Sequence, residues 1–357
     1  MNTNRSKYVL CLGLYSILRS TYLNIRSVVT WPYGLVYFTI SGKTPQIAYQ
    51  SMVWLFCTTQ GKFNDWVSWL ITKMRPAVTL INRSGVLGDM SDGKRLANAL
   101  QQLREDGFII FPSALPADAV QRLCQFTNTT PALVRRMDGQ DTELHISKGI
   151  YTGGKPVAVR YDYDPFDLLN LEDVQALLAD GSLLSVAQKY LCCEPLADVI
   201  SMWWHTNYHT QPDAEAAQFF HFDMDRFKWL KIFIYLTDVG PENGPHAFVR
   251  GSHQTGAIPD RILRRGYVRL TDEEVAEHYP AKDILSFSAP RGSIILEDTR
   301  GLHKGTRVSG DSRLILQLQF SNSLFGTNYP RARIGQVVAP ELKAMLDSSP
   351  SIYRQYV

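Results

Sequence analysis

The stretch FFHFDMDRFKWLKIFIYL, Phe219 to Leu236, combines strand-forming aromatic and β-branched residues with a histidine and two carboxylates at alternate positions. Alternate side chains of a strand share one face, so His221 and Asp223 are predicted to point the same way, joined by Asp225 if the strand continues. An imidazole beside a carboxylate supplies two of the three protein ligands of a 2-His-1-carboxylate iron(II) site. The pattern therefore predicts a non-haem iron site that a histidine from elsewhere in the chain completes.

Eight histidines compete for the third position, and His303 and His253 are both candidates. His303 ends an apolar run and precedes a glycine-containing turn, and Arg313 follows ten residues later at the head of the apolar stretch RLILQLQF. A guanidinium that alternates with Ile315 and Gln317 on an interior strand needs an anionic partner, because an unpaired buried charge is costly. A dicarboxylate co-substrate would supply that partner through two parallel hydrogen bonds.

These motifs carry a family resemblance. With HFD at 221–223, NGPHAFVRGSH at 243–253, HKG at 303–305 and Arg313, the chain from about Ser91 to Phe325 resembles the phytanoyl-CoA hydroxylase family of iron(II)- and 2-oxoglutarate-dependent dioxygenases. The resemblance implies that His221, Asp223 and His303 bind iron and that Arg313 holds the distal carboxylate of 2-oxoglutarate, with O2 as the second co-substrate. Asp223 stands where halogenating relatives have a small residue, so the resemblance implies hydroxylation.

Several further residues have two readings. In the family, the histidine corresponding to His253 lies outside the iron shell, so we expect His253 to fix its turn. Trp203, His205 and Asn207 share one strand face and are predicted to line the substrate pocket if that face points inward, whereas core filling by the tryptophans is an equal alternative. Asp225 is expected to lie beside the ligands or to face the substrate, because we expect the strand to bend before Arg226.

Three further basic residues could either bind an anionic ligand or lie exposed to solvent. Arg307, four residues after His303, competes with Arg313 for the co-substrate, but its turn is expected to be exposed to solvent. Arg160 and Lys155 are candidates for an anionic ligand, with a solvated surface position as the alternative.

The surrounding pattern predicts a mainly β protein with helical additions: a double-stranded β-helix (jelly-roll) core behind an N-terminal helical extension. Leu96, Leu100 and Leu103 repeat at helical spacing after a capping Asp92. Strands are predicted in the stretches beginning at Leu196, Trp229 and Arg313. We divide the chain into an extension at 1–82, a dioxygenase domain at 91–330 and a tail at 331–357.

The extension differs from the rest of the chain in charge. Residues 1–80 carry eight basic side chains and one acid, a net charge of +7, so the remainder of the +3 chain carries −4. Four of the seven tryptophans lie there as well. Cations mixed with aromatic rings suit a membrane interface or a partner surface, and the alternatives are a structural helical layer packed on the core and a targeting segment. The run from Tyr8 to Leu18 is too short to span a bilayer, and no signal-peptide cleavage site follows it.

The sequence thus predicts a hydroxylase that acts on an amphiphilic or lipid-linked substrate, such as a glycan, and releases succinate and CO2. Hydroxylation of a soluble small molecule in natural-product biosynthesis, and a non-catalytic metal-binding roll, are the alternatives. Five scattered cysteines indicate a reducing compartment, and we expect a cytoplasmic location with peripheral membrane association through residues 1–80 as an open alternative. Dispersed basic residues exclude a nucleic-acid interface.

Overall fold

The computed structural model describes residue 23 and residues 25–136, 145–214 and 216–357. The helices are α1 (residues 25–41), α2 (Gln46–Thr59), α3 (Lys62–Met74), α4 (Gly93–Glu105), α5 (Ala117–Thr129), α6 (Pro165–Leu169), α7 (Glu172–Leu178), α8 (Gly181–Leu191), α9 (Asp260–Leu263), α10 (Asp272–Ala276) and α11 (Pro340–Ser348). Two 3-10 turns cover Ala281–Asp283 and Pro350–Tyr353. The apolar run from Tyr8 to Leu18 lies outside the described residues.

The strands form two antiparallel sheets that enclose the site. They are β1 (Phe108–Phe111), β2 (Ala132–Arg136), β3 (His145–Gly149), β4 (Arg160–Asp162), β5 (Leu196–His205), β6 (Trp229–Tyr235), β7 (His246–Val249), β8 (Ile284–Ser286), β9 (Ile294–Glu297), β10 (His303–Gly305) and β11 (Arg313–Ser321). The larger sheet has the order β1-β9-β6-β11-β5-β4-β2-β3 and the smaller one the order β10-β7-β8. The predicted jelly-roll core is thereby confirmed.

Local sequence accounts for most of these elements. Asp92 caps α4 by accepting a hydrogen bond from the backbone N–H of Lys94, and Leu96, Leu100 and Leu103 are buried on one face of that helix as predicted. β6 and β11 are buried almost throughout because they lie in the middle of the larger sheet, which explains their continuous apolar runs.

The segment from Phe219 to Leu236 bends just before Arg226, as expected, and is not one continuous strand. Regular strand begins at Trp229, and residues 225–228 bend. Residues 220 and 221 form isolated bridges, to Leu270 and His303. The chain must turn here because it passes from the smaller sheet to the larger one, and the bend separates the two ends of the motif.

The N-terminal helices pack against the roll at this bend. Phe56 of α2 contacts Phe222 at a ring-centroid distance of 5.7 Å, and Asn64 of α3 donates a hydrogen bond to the carbonyl of Phe227. Arg75 pairs with Glu194 at 2.7 Å. The helical layer therefore buttresses the segment that carries His221 and Asp223. None of the described helices combines the length and apolarity needed to cross a bilayer.

Candidate metal and co-substrate site

His221, Asp223 and His303 come together in the roll. One donor atom from each residue lies within 4.8 Å of the other two, and both histidines are buried. Nε2 of His221 is 3.6 Å from Oδ1 of Asp223, and Nε2 of His303 is 3.4 Å from Oδ2. Two imidazoles and a carboxylate converging on one point match the donor set of a facial iron(II) site. In the part of the chain that the structure describes, this is the one such group.

Backbone hydrogen bonds hold this arrangement in place. His221 and His303 exchange two N–H to carbonyl bonds of 2.9 and 2.8 Å, and the N–H of Asp223 donates to the carbonyl of Thr299. The Nδ1 atoms of His221 and His303 lie 2.9 Å from the carbonyls of Phe219 and Gly301. Each Nδ1 therefore carries a proton that it donates to a carbonyl, and each Nε2, once it is unprotonated, is the atom that supplies a lone pair to a metal.

Lys231, which the sequence interpretation missed, lies beside the triad. Its Nζ is 2.5 Å from Oδ2 of Asp223 and 3.2 Å from Oδ2 of Asp225. Burial raises the pKa of Asp223, but the charges of Lys231 and His303 outweigh burial and hold that pKa well below its usual range. Asp223 is thus ionised, with one oxygen bound to the ammonium and the other free to ligate a metal. A lysine between Trp229 and Phe233 in an apolar strand was the signal that could have identified it.

Arg313 forms the second part of the site. Its side chain is fully buried, and its Nη2 donates to Nδ1 of His205 at 2.8 Å. Burial, and next the charge of Arg313, lower the pKa of His205, so that imidazole is neutral and accepts the bond. Nε and Nη1 of Arg313 have no hydrogen-bond partner at bonding distance among the described residues, and Tyr235 is the neighbouring side chain, with its ring centroid 6.0 Å from the guanidinium carbon. A buried guanidinium with two unpaired nitrogens fits a carboxylate ligand.

Gly305 connects the two parts. It lies two residues after His303 on β10 and therefore on the same strand face. A Cβ atom at this position would lie 3.3 Å from Nη2 of Arg313 and 3.7 Å from Cε1 of His205. Glycine therefore leaves the space between the metal ligands and the guanidinium unobstructed, where a short dicarboxylate would fit.

The predicted pocket residues are only partly brought together. Trp203 and His205 face the interior, where the ring of Trp203 packs under the guanidinium of Arg160 at 4.5 Å. Asn207 is exposed beyond the end of β5 and donates to the carbonyl of Gly310. Asp225 faces Lys231 next to the triad.

The alternative candidates are not members of the triad. His253 is in its turn and is not part of the metal-binding group. Arg307 donates to the backbone carbonyls of His209 and Val308. His246 is buried against Phe233, with Nδ1 3.5 Å from a carboxylate oxygen of Glu297, a fully buried acid that the sequence interpretation also missed.

Three tyrosines from distant parts of the chain, Tyr49, Tyr267 and Tyr329, lie close enough to Asp223 or Asp225 for the carboxylate charge to act on them, and they are here called the tyrosine rim. Burial raises the pKa of all three, to about 12 for Tyr267, and a carboxylate charge from Asp223 or Asp225 raises it further in each case. The ring centroids of Tyr267 and His221 are 6.5 Å apart. Because Tyr49 belongs to α2, the N-terminal layer contributes directly to the surroundings of the site.

A family model described as Phytanoyl-CoA dioxygenase (PhyH) matches residues 103–315, more than half of the chain, and α1, α2 and α3 lie outside that match. An ectoine dioxygenase of Stutzerimonas stutzeri (strain A1501) is 22% identical over 231 residues, which cover 60% of this chain and 72% of the relative. One of Sphingopyxis alaskensis is 24% identical over 248 residues, with coverages of 65% and 76%. The epimerase SnoN in complex with Fe3+, alpha ketoglutarate and nogalamycin RO is 18% identical, covers 70% of this chain and 94% of its own, and has a TM-score of 0.46.

Proposed function

Because the chain belongs to the phytanoyl-CoA dioxygenase family, we propose that it is a hydroxylase in which His221, Asp223 and His303 bind iron(II) and Arg313 binds the distal carboxylate of 2-oxoglutarate. The family makes it an iron(II)- and 2-oxoglutarate-dependent dioxygenase. The observation that carries the residue assignment is the convergence of three donor atoms within 4.8 Å, together with a fully buried guanidinium that has two unpaired nitrogens. The intact triad favours an active enzyme over a non-catalytic roll.

In this proposal, iron(II), 2-oxoglutarate and O2 together supply an oxidation that converts 2-oxoglutarate into succinate and CO2 and transfers one oxygen atom to the substrate. The protein orients the reactants. Arg313 fixes the far end of 2-oxoglutarate, and His205 fixes the guanidinium. Lys231 holds the oxygen of Asp223 that is not needed as a ligand. The apolar side chains Trp203, Phe233 and Ile315, buried in the interior, exclude water.

The charged surroundings support a polar reacting end on the substrate. Asp225, Lys231 and the tyrosine rim place hydroxyl, carboxylate and ammonium groups beside the triad, and Arg269 lies 5.4 Å from the ring of Tyr267. Such groups match the hydroxyls or charges of a sugar or a head group better than a hydrocarbon chain. We therefore propose oxidation at the polar end of an amphiphilic or lipid-linked substrate.

A soluble small molecule is the second candidate. The curated relatives are named ectoine dioxygenases, and this supports a compact polar substrate without a lipid tail. Both candidates have a polar reacting end, and they differ only in whether an apolar tail extends away from the site. The cytoplasmic location with peripheral association at the inner membrane surface belongs to the first candidate.

The test is anaerobic titration of the purified full-length protein with iron(II) and then 2-oxoglutarate, followed by visible absorption of the metal-to-ligand charge-transfer band. We expect the band in the parent protein and its loss in His221→Ala and His303→Ala. A band that persists in both variants would refute the ligand assignment, and no band in a folded, iron-loaded parent would refute the co-substrate site. Succinate release on addition of candidate amphiphiles and of small polar molecules then separates the two substrate classes.

A further inference from the structure

The α1 helix exposes an apolar stripe. Seven of its large apolar side chains have exposed fractions between 44% and 83%, namely Ile25, Val28, Val29, Tyr33, Val36, Tyr37 and Ile40. Their spacing of three and four residues puts them on one face. Arg26 is the single charged residue of α1. Next to this stripe α3 exposes Trp66 and Trp69, about half of each side chain being accessible. Soluble monomers rarely expose a contiguous apolar surface of this kind without a partner.

A groove with a basic rim lies beside the stripe. The groove has a volume of about 550 Å³ and is formed by α1, α3 and the C-terminal region. Its apolar wall includes Trp31, Leu35, Phe38, Leu70, Met74 and Leu324. Arg75, Arg331 and Arg354 also line it. Glu194 neutralises Arg75, whereas Arg331 donates to the carbonyl of Gly42, and neither Arg331 nor Arg354 has an ion pair among the described residues.

We infer that this face docks on a bilayer that contains anionic lipid. The stripe would lie in the interface, where aromatic rings are favoured, and the groove would take one acyl chain with its anionic head group on Arg331 and Arg354. A volume of about 550 Å³ falls within the range of small-ligand sites.

Charge complementarity favours lipid over a protein partner or a second copy. Residues 25–82 contain five basic residues and one acid, and that acid, Asp65, already pairs with Arg300 of the roll at 3.0 Å. A second copy would therefore bring positive charge against positive charge. An anionic membrane supplies a uniformly negative surface, which attracts each basic residue near it.

Docking would also set the position of the metal site. The same helical layer packs on Phe222 and contributes Tyr49 to the tyrosine rim, so a membrane-bound α1 holds the site at a fixed distance from the lipid. This step rests on the proposed function, since it serves an amphiphilic substrate whose polar end enters the roll. The surface itself depends only on the exposed residues.

The experiment is flotation of the full-length protein with vesicles of phosphatidylcholine, with and without about one-third phosphatidylglycerol. We expect binding to the anionic vesicles, weakened by salt, and a loss of at least about tenfold in Val36→Asp, because a charge replaces an apolar group in the interface. Val36 is 61% exposed, so the variant should fold. Val157→Asp, 42% exposed and outside the helical layer, is the matched control and should bind like the parent.

Three results would overturn the docking inference: no binding of the parent to anionic vesicles, equal binding of Val36→Asp, or equal weakening by Val157→Asp. Concentration-dependent dimers in light scattering that Val36→Asp abolishes would assign the face to a second copy and overturn it too. The charge-transfer band, measured on the same samples, separates the two proposals. An intact band without vesicle binding refutes only the docking, whereas vesicle binding without a band refutes only the iron and co-substrate assignment.

Discussion

Replacing Arg313 by methionine should weaken the binding of 2-oxoglutarate without lowering the stability of the protein that lacks it. Few substitutions of a buried residue leave stability unchanged or raise it. In the protein without co-substrate, Nε and Nη1 are buried and unpaired. Each such group costs about 1–3 kcal/mol, so removing the guanidinium should leave apo stability unchanged or raise it by about 1–4 kcal/mol. A structural role for Arg313 would predict a loss.

The effect on 2-oxoglutarate should be large and opposite. Two charge-assisted hydrogen bonds contribute about 1.5–3 kcal/mol each, so their loss raises Kd by about 10² to 10⁴-fold. At a co-substrate concentration of about 100 times the parent Kd, the parent gains about 2.7 kcal/mol in unfolding free energy. The variant, with a Kd at least about 100-fold higher, should gain no more than about 0.4 kcal/mol.

The assay is chemical denaturation of the iron-loaded protein under anaerobic conditions, with and without 2-oxoglutarate, next to the charge-transfer titration. Arg307→Met is the matched control, because Arg307 is bound to backbone carbonyls outside the proposed clamp and its loss should leave Kd within about threefold. If Arg313→Met bound 2-oxoglutarate as tightly as the parent, or unfolded several kcal/mol more easily without it, the clamp assignment would be wrong.

Three further predictions follow from single contacts. Gly305→Ala places a Cβ 3.3 Å from Nη2 of Arg313, so the Kd for 2-oxoglutarate should rise about tenfold while iron affinity is retained. Calorimetry with each ligand would measure both affinities. An unchanged Kd would contradict the need for an unobstructed space between the metal ligands and the guanidinium. Burial raises the pKa of Asp298, but Arg300 outweighs burial and lowers the net value to about 2. The pKa of Asp298 is lower in the folded protein than the unfolded-state pKa near 4, so the ionised carboxylate adds about 2 kcal/mol to the free energy of unfolding above pH 4. This contribution is lost as the pH falls from about 4 to 2. Denaturation of Asp298→Asn at several pH values should lack that component, and an identical acid slope would refute it. Cys192 is exposed, whereas burial raises the pKa of Cys57 to about 12, so iodoacetamide near pH 8 should label Cys192 much faster by peptide mass spectrometry, and equal labelling would show that α2 opens readily.

The chain pattern alone identified the elements of the site that follow local rules. His221 and Asp223 are two residues apart and were therefore expected to share a face. Arg313 begins an apolar strand and was therefore expected to bind a buried anion. The family resemblance named the third position, His303, and the structure brings its donor atom into the group. Helix α4 was predictable from its leucine spacing and its Asp92 cap, and strands β5, β6 and β11 were predictable from their runs of β-branched and aromatic residues.

The segment 219–236 was expected to bend before Arg226, but its composition alone does not show where regular strand resumes. Its aromatic and β-branched composition satisfies strand propensity up to Leu236, yet residues 225–228 bend because the chain must change sheets. Asn207 continues the alternation of Trp203 and His205 in the sequence, but it lies past the end of β5, so its side chain does not share their face.

The sequence by itself thus determined which side chains are candidates for metal and carboxylate binding, and which runs of residues favour strands. Tertiary structure alone decided which distant groups meet there. Lys231 binds the carboxylate of Asp223, and the charge of that carboxylate acts on Tyr49 of α2 in the N-terminal layer. The apolar stripe of α1 stays exposed, whereas α2 and α3 each pack one face against the roll. The physical reason is that spacing along a strand or helix fixes only the direction of a side chain, whereas burial and charge pairing depend on which other elements pack against it.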